Sequence, residues 1–421
     1  MPPGCPRQSR EALRFLLLSR IISYSLFCAI ARLALKSPSP LQSWLSIIEA
    51  QDAARLSDAL ENEALRATLW SDDSSLRDES PLVLCVANEW LEGARMIVEK
   101  GGDGSDSLDF RDPRSTPIFH RSIVLHAARK AIELKNNRGA PFFDLLKEQI
   151  PLDDSLRLPF IGSVIELSIF SFAAFCDCAF ALEWLLPRCN PRKRDHGGVT
   201  PFMWAASGNA VNALKLLAPA SDRSAVSDGG ETALMRAAST PLNASAAVLW
   251  LANKKGANKK SLHGETALML AVESPLGFDR AAILAPISDV NARNNAGDTA
   301  LLCLCGTRSE NNGRAAEATV AIARLLVDHG ARLDLPSRDG RMPIELAIDR
   351  QMWRTADLFA TRLPEQALSL GLREKAAGKL PEFEALMQAR DLSAVVAEAA
   401  KGNDQPSLPS EGPTSPTGRR L

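Results

Sequence analysis

Apolar positions recur along this chain in helical triplets. Ala213, Leu216 and Leu217 stand at i, i+3, i+4, as do Leu182, Leu185 and Leu186, and Ile322, Leu325 and Leu326. Each set lays one apolar stripe along a helix. A shorter segment precedes each stripe and follows its own rule. Thr200-Pro201-Phe202 leads to Ala205-Ala206, Thr232-Ala233-Leu234 to Ala237-Ala238, and Thr266-Ala267-Leu268 to Ala271-Val272. A threonine there caps a helix, proline just after it suits the first turn, and the alanine pair keeps the helix thin enough for close packing. Glycines such as Gly256 and Gly330 are placed for left-handed helix ends. The pattern predicts helix pairs separated by polar, glycine-bearing turns.

The pattern is periodic. The capping position falls at 200, 232, 266 and 299 and then at Met342, with spacings of 32, 34, 33 and 43. Weaker copies lie upstream. One runs from Ser80-Pro81-Leu82 to Gly101-Gly102, a second starts at Thr116-Pro117, and a third starts at Ser163-Val164-Ile165 with an overlong first helix through Phe175. Ile48 through Leu60 reads as a terminal capping pair. The extra length in the last strong spacing is assigned to Gly306–Glu317, a polar insertion between two helices and a candidate binding loop. One helix pair cannot bury its stripe alone, whereas stacked pairs can.

This register resembles the ankyrin repeat, a unit of about 33 residues with a T-P-L-H-x-A core. Ile287 to Asn294 resembles the family's turn between repeats, and Ala321 to Ala331 its second helix and exit. The resemblance implies an all-α solenoid of about eight repeats, strongest over 195–363. It also implies a non-catalytic role in protein–protein interaction through the concave face.

The chain then divides into four parts. Residues 1–40 form a basic, apolar head, 41–363 the solenoid (degenerate over 41–194, clear over 195–363), 364–401 a C-terminal helical cap, and 402–421 a proline-rich disordered tail. The head holds six Arg/Lys against one acid, Glu11, while the whole chain has a net charge of −1. Its uninterrupted apolar run, Ile21–Ala31, is shorter than the roughly 20 residues a membrane helix needs. A mitochondrial presequence, a secretory signal, a membrane anchor and a folded amphipathic helix all remain open for it. Near-neutral net charge argues against nucleic acid as a partner. Membrane contact is expected only through residues 1–40.

Eight cysteines, with no CxxC pair, read as reduced thiols of an intracellular, cytoplasmic protein. Mitochondrial, secretory and membrane-associated locations remain open through the head. Cys305 takes the second alanine position of its unit. His196, His263 and His329 fall in turns, where polar residues are expected. No nucleophile–base motif, phosphate loop or metal-ligand spacing appears, so no enzyme, metal or cofactor is expected. The candidate binding residues are Glu231, Glu265 and Asp298, each just before the capping threonine in three successive units. The resemblance puts this position on the concave side. An acidic row there would favour a partner protein with a basic segment. An adaptor or scaffold is the favoured reading. The alternatives are an adaptor tethered to an organelle or membrane by residues 1–40, and a regulatory subunit of an enzyme.

Overall fold

The computed structural model describes residues 40–62, 80–100, 118–134, 137–160, 163–240, 242–274, 276–307 and 313–362, with a few positions between 379 and 388. The head up to residue 39, nearly all of the expected cap over 364–401 and the tail over 402–421 lie outside the described residues.

Helices run in pairs. α1 (Pro40–Ala50) and α2 (Ala53–Glu61) open the stack, followed by α3 (Pro81–Ala87) and α4 (Leu91–Lys100), then α5 (Ile118–Glu133) and α6 (Ala140–Leu146). A two-stranded antiparallel hairpin, β1 (Ser155–Phe160) and β2 (Ser163–Ser168), follows. Then come α7 (Ile169–Phe175) with α8 (Ala179–Leu185), α9 (Pro201–Ser207) with α10 (Val211–Leu217), and α11 (Ala233–Ser239) with α12 (Ser245–Leu251) and the one-turn α13 (Lys254–Ala257). α14 (Ala267–Glu273) with α15 (Phe278–Leu284), α16 (Ala300–Thr307) with α17 (Gly313–Asp328), and α18 (Pro343–Asp349) with α19 (Trp353–Arg362) complete the series. First helices pack on first helices and second on second, giving two layers with the core between them. The fold is the expected all-α solenoid, with one local strand pair.

The capping positions act as their chemistry dictates. Thr200, Thr232, Thr266 and Thr299 each accept the backbone N–H three residues on, at 3.3–3.4 Å. Met342 has no hydroxyl, and Glu345 Oε2 accepts the Met342 N–H at 2.9 Å instead. Ala205, Ala206, Ala237, Ala238 and Ala271 have no exposed surface, and Cys305 is as deeply buried.

Three details differ from the sequence pattern. The unit expected to begin at Ser163 begins at Ser168, whose side chain accepts the Ser171 N–H at 3.2 Å. Residues 163–167 form β2, where Leu167 pairs with Leu156 and both are buried. This restores a spacing of 32 to Thr200 and leaves α7 at seven residues, not an overlong helix. The second-helix stripes are rotated by one position: Ala213, Leu214 and Leu217 are buried while Leu216 is only half-buried, and Ile322, Ala323 and Leu326 are buried while Leu325 is half-buried. Gly330 is left-handed at φ 87°, but Gly256 sits inside α13, after α12 has ended on an extended Ala252. Much of the Gly306–Glu317 insertion is helical, since α17 starts at Gly313.

Candidate functional site

Between each second helix and the next first helix the chain makes a finger that ends in a five-residue turn: 195–199, 227–231, 261–265, 294–298 and 337–341. In each turn the first N–H donates to the fifth carbonyl at 2.9–3.0 Å, and the fourth N–H returns to the first carbonyl. The fourth residue is always glycine with φ between 70° and 81°. Successive fingers are joined by a backbone ladder. Asp228 N–H donates to Gly197 O, Leu262 N–H to Gly229 O, and Asn295 N–H to His263 O, each at 2.9 Å. Among the described residues the Arg338 N–H makes no such bond, so the ladder stops before the fifth finger.

Glu231, Glu265 and Asp298 are the fifth residues of three consecutive turns, next to the capping threonine and on the face where fingers adjoin first helices. Their N–H groups donate to Ser227 Oγ, Ser261 Oγ and Asn294 Oδ1 at 2.8–3.2 Å, which fixes their backbones alike. All three are half-buried. Val199 and Arg341 hold the same position in the turns on either side.

Two of the three carboxylates, Glu231 and Asp298, meet different surroundings. Glu231 Oε2 accepts from Arg236 Nη1 at 3.2 Å, and the Arg236 guanidinium stands 5.4 Å from the centre of the Trp204 ring. Trp204 and Arg236 both occupy the fourth position of their first helices. Trp204 Nε1 and Arg236 Nε are buried, with no hydrogen-bond partner among the described residues. Asp298 lines a cavity of about 280 Å³ with Leu302, Gly306, Arg338, Asp339 and Arg341. Burial, and then the charge of Asp339, push the Asp298 carboxyl above its usual range, against the pull of Arg341 and Arg293. The row is therefore ion-paired at one end and crowded by the fifth finger at the other. Arg236 pairs with Glu231 within its own unit, whereas its approach to Trp204 and that of the fifth finger to Asp298 cross between units and are not marked by the repeat pattern.

The remaining candidates are packing or turn groups. Burial pushes the Cys85 thiol up to about 12 and, with Asp177 adding to it, the Cys178 thiol up to about 11, so neither is a thiolate at neutral pH. His196, His263 and His329 are exposed on turns, and a ring nitrogen of His329 lies 2.9 Å from Leu325 O. Among the described residues no group of three or more His, Cys, Asp or Glu side chains is placed to hold a metal ion. No helix of the described residues is long and apolar enough to cross a membrane.

The family comparison agrees with this geometry over part of the chain. Residues 170–263 match the family model for ankyrin repeats in three copies. No curated protein matches the chain. Among solved structures, an ankyrin repeat domain from Acinetobacter baumannii is similar at 25% identity and a TM-score of 0.38, over 46% of this chain and 96% of that domain. A structure of the predatory endopeptidase of Bdellovibrio bacteriovorus in complex with an immunity protein is similar at 24% identity and a TM-score of 0.37, over 46% of this chain and 97% of the matched chain. Residues 170–263 thus carry ankyrin repeats, and the same helix pairs and finger turns continue beyond them to the fifth finger.

Proposed function

We propose that this protein is a non-catalytic adaptor or scaffold that binds a partner protein on the face formed by its fingers and first helices. The partner contributes a basic segment, received by Glu231, Glu265 and Asp298. One observation carries this reading: three carboxylates occupy one backbone position in three adjacent turns. Like charges repeated at the spacing of packed helices, about 8–10 Å, favour a segment whose cations repeat at a matching spacing.

Peptide display against the full chain tests the reading. The unaltered protein should enrich peptides rich in Lys and Arg. The variant Glu231→Gln, Glu265→Lys, Asp298→Lys should not, while melting near the unaltered protein. Glutamine suits position 231 because a lysine there would face Arg236. Equal enrichment by both proteins would show that the row is a solvated face.

A further inference from the structure

A second charged surface lies on the same repeats. The segments that lead from second helices into fingers, 187–194, 219–226, 252–260 and 286–293, together hold ten Lys or Arg against two acids, Asp222 and Asp289. The first segment supplies Arg192, Lys193 and Arg194, all exposed. The third supplies Lys254, Lys255, Lys259 and Lys260. The second and fourth add Arg223 and Arg293.

These groups form one continuous edge. The Asp222 carboxyl is held below its usual range first by hydrogen bonds from Ser224 and then by Arg192 and Lys259, one from the segment on each side. Arg194 Nη2 donates to Val226 O in the next segment, and Lys260 Nζ donates to Arg293 O at 2.8 Å. Among the described residues none of the ten cations forms an ion pair. Elsewhere cations do so repeatedly: Arg138 with Glu89, Lys147 with Asp144, Arg332 with Asp334, Arg362 with Asp328. Lys254 and Lys255 also open α13, the end at which a helix repels cations. Ten cations against two acids leave the row with a net positive charge that repels itself.

Exposed apolar side chains stand among the cations. Leu262, at a finger turn beside Lys259 and Lys260, is 68% exposed, and Val226 is 40% exposed. The aromatic rings nearby are already covered: Arg188 lies 4.4 Å from the Trp184 ring centre and Arg223 5.3 Å from that of Trp250. The four segments carry no Phe, Tyr or Trp of their own on which a nucleic acid would stack its bases. An anionic bilayer would take both features, with the cations at the headgroups and the apolar tips between them.

We infer that this basic edge is a docking surface for an anionic lipid membrane. It adds a second contact to the head, whose apolar run Ile21–Ala31 and six cations were the only membrane signal in the sequence. Stable peripheral anchoring generally takes two such signals.

Vesicle co-sedimentation of the full chain tests this. The protein should bind phosphatidylcholine vesicles containing about 30% phosphatidylserine, not phosphatidylcholine alone, and should release as salt shortens the screening length. The variant Lys255→Gln, Lys259→Gln, Arg293→Gln should lose affinity about a hundredfold, at roughly fivefold per cation near the surface. Neutralising Lys215 and Arg324, exposed on second helices, should change it little. Leu262→Asp should weaken binding with every cation kept. Unchanged binding by the triple variant would assign all membrane contact to the head and overturn the inference. So would equal binding to neutral vesicles, an absence of binding, or tighter binding to polyuridine at the same salt that the triple variant loses.

Discussion

The two edges of the stack are joined by different means. At the finger edge the seam is backbone to backbone, and the same bond recurs at 2.9 Å from the first finger to the fourth. At the opposite edge, where first helix turns into second, the seam is made by side chains and changes from unit to unit. Asp177 and Asn209 are left-handed there, at φ 57° and 58°, and reach into the next unit. Asp177 accepts the Ala213 N–H at 2.7 Å, and Asn209 the Ala247 N–H at 2.8 Å. The next two units carry longer loops that start at Thr240 and Ser274, and Arg280 closes them. Its fully buried side chain donates to Ala237 O, Thr240 O and Ser274 Oγ. A backbone seam can repeat indefinitely, whereas a side-chain seam must be solved again wherever loop length changes.

Breaking the Arg280 seam should have the largest effect. Arg280→Ala leaves a cavity, removes the arginine donor from Ala237 O and leaves Thr240 O with Ser274 Oγ alone, at a cost of roughly 3–5 kcal/mol. Urea unfolding of the variant should show this loss. Arg280→Lys should recover part of it, since an ammonium cannot span both loops as the guanidinium fork does. If Arg280→Ala unfolds like the unaltered chain, the longer loops close without the arginine, and the contrast between the edges disappears.

The finger seam gives a matched pair. A Cβ on Gly264 would lie 2.7 Å from Asn295 N, inside the ladder, whereas one on Gly297 would lie 3.3 Å from Arg338 N, where the ladder has stopped. Both positions are left-handed, at φ 75° and 81°, so alanine carries similar backbone strain in each. Gly264→Ala should therefore cost more than Gly297→Ala, by roughly 1–2 kcal/mol for the added clash and lost bond. Equal losses in the two melts would mean that the inter-finger bond contributes nothing beyond the strain.

The difference between the edges also explains what could be read in the sequence. The finger edge depends on glycine, threonine and short polar residues at fixed register, so spacing alone located it, along with Glu231, Glu265 and Asp298. The other edge depends on pairs from different units. Arg280 reads locally as an ordinary polar residue at the start of a helix, and nothing beside it in the chain points to Thr240. The approach of Arg236 to Trp204 of the preceding unit is hidden likewise. Val164-Ile165 fits the start of a repeat, although β-branched residues suit a strand and Ser168 is the better cap. The second-helix stripes lie one position from the sequence pattern because i, i+4 pairs such as Ala213 and Leu217 fit either phase, and only the stacked neighbour selects Leu214.

The smallest expected effect is at Asn209, where two contributions can be separated. Its left-handed backbone suits asparagine or glycine, and its side chain caps α12 of the next unit through Ala247. Asn209→Gly keeps the backbone tolerance and removes only the cap, so it should cost about 0.5–1.5 kcal/mol, the net worth of one hydrogen bond plus some added chain entropy. Asn209→Ala removes the cap and adds strain at positive φ, so it should cost more, by about 1 kcal/mol. The order of the two variants in thermal melts is the test. If glycine is neutral and alanine destabilises, the residue serves backbone geometry and the inter-unit cap is idle. If both lose stability in the expected order, the side-chain seam is real even where the loop is short, and Arg280 is its enlarged counterpart across the longer loops.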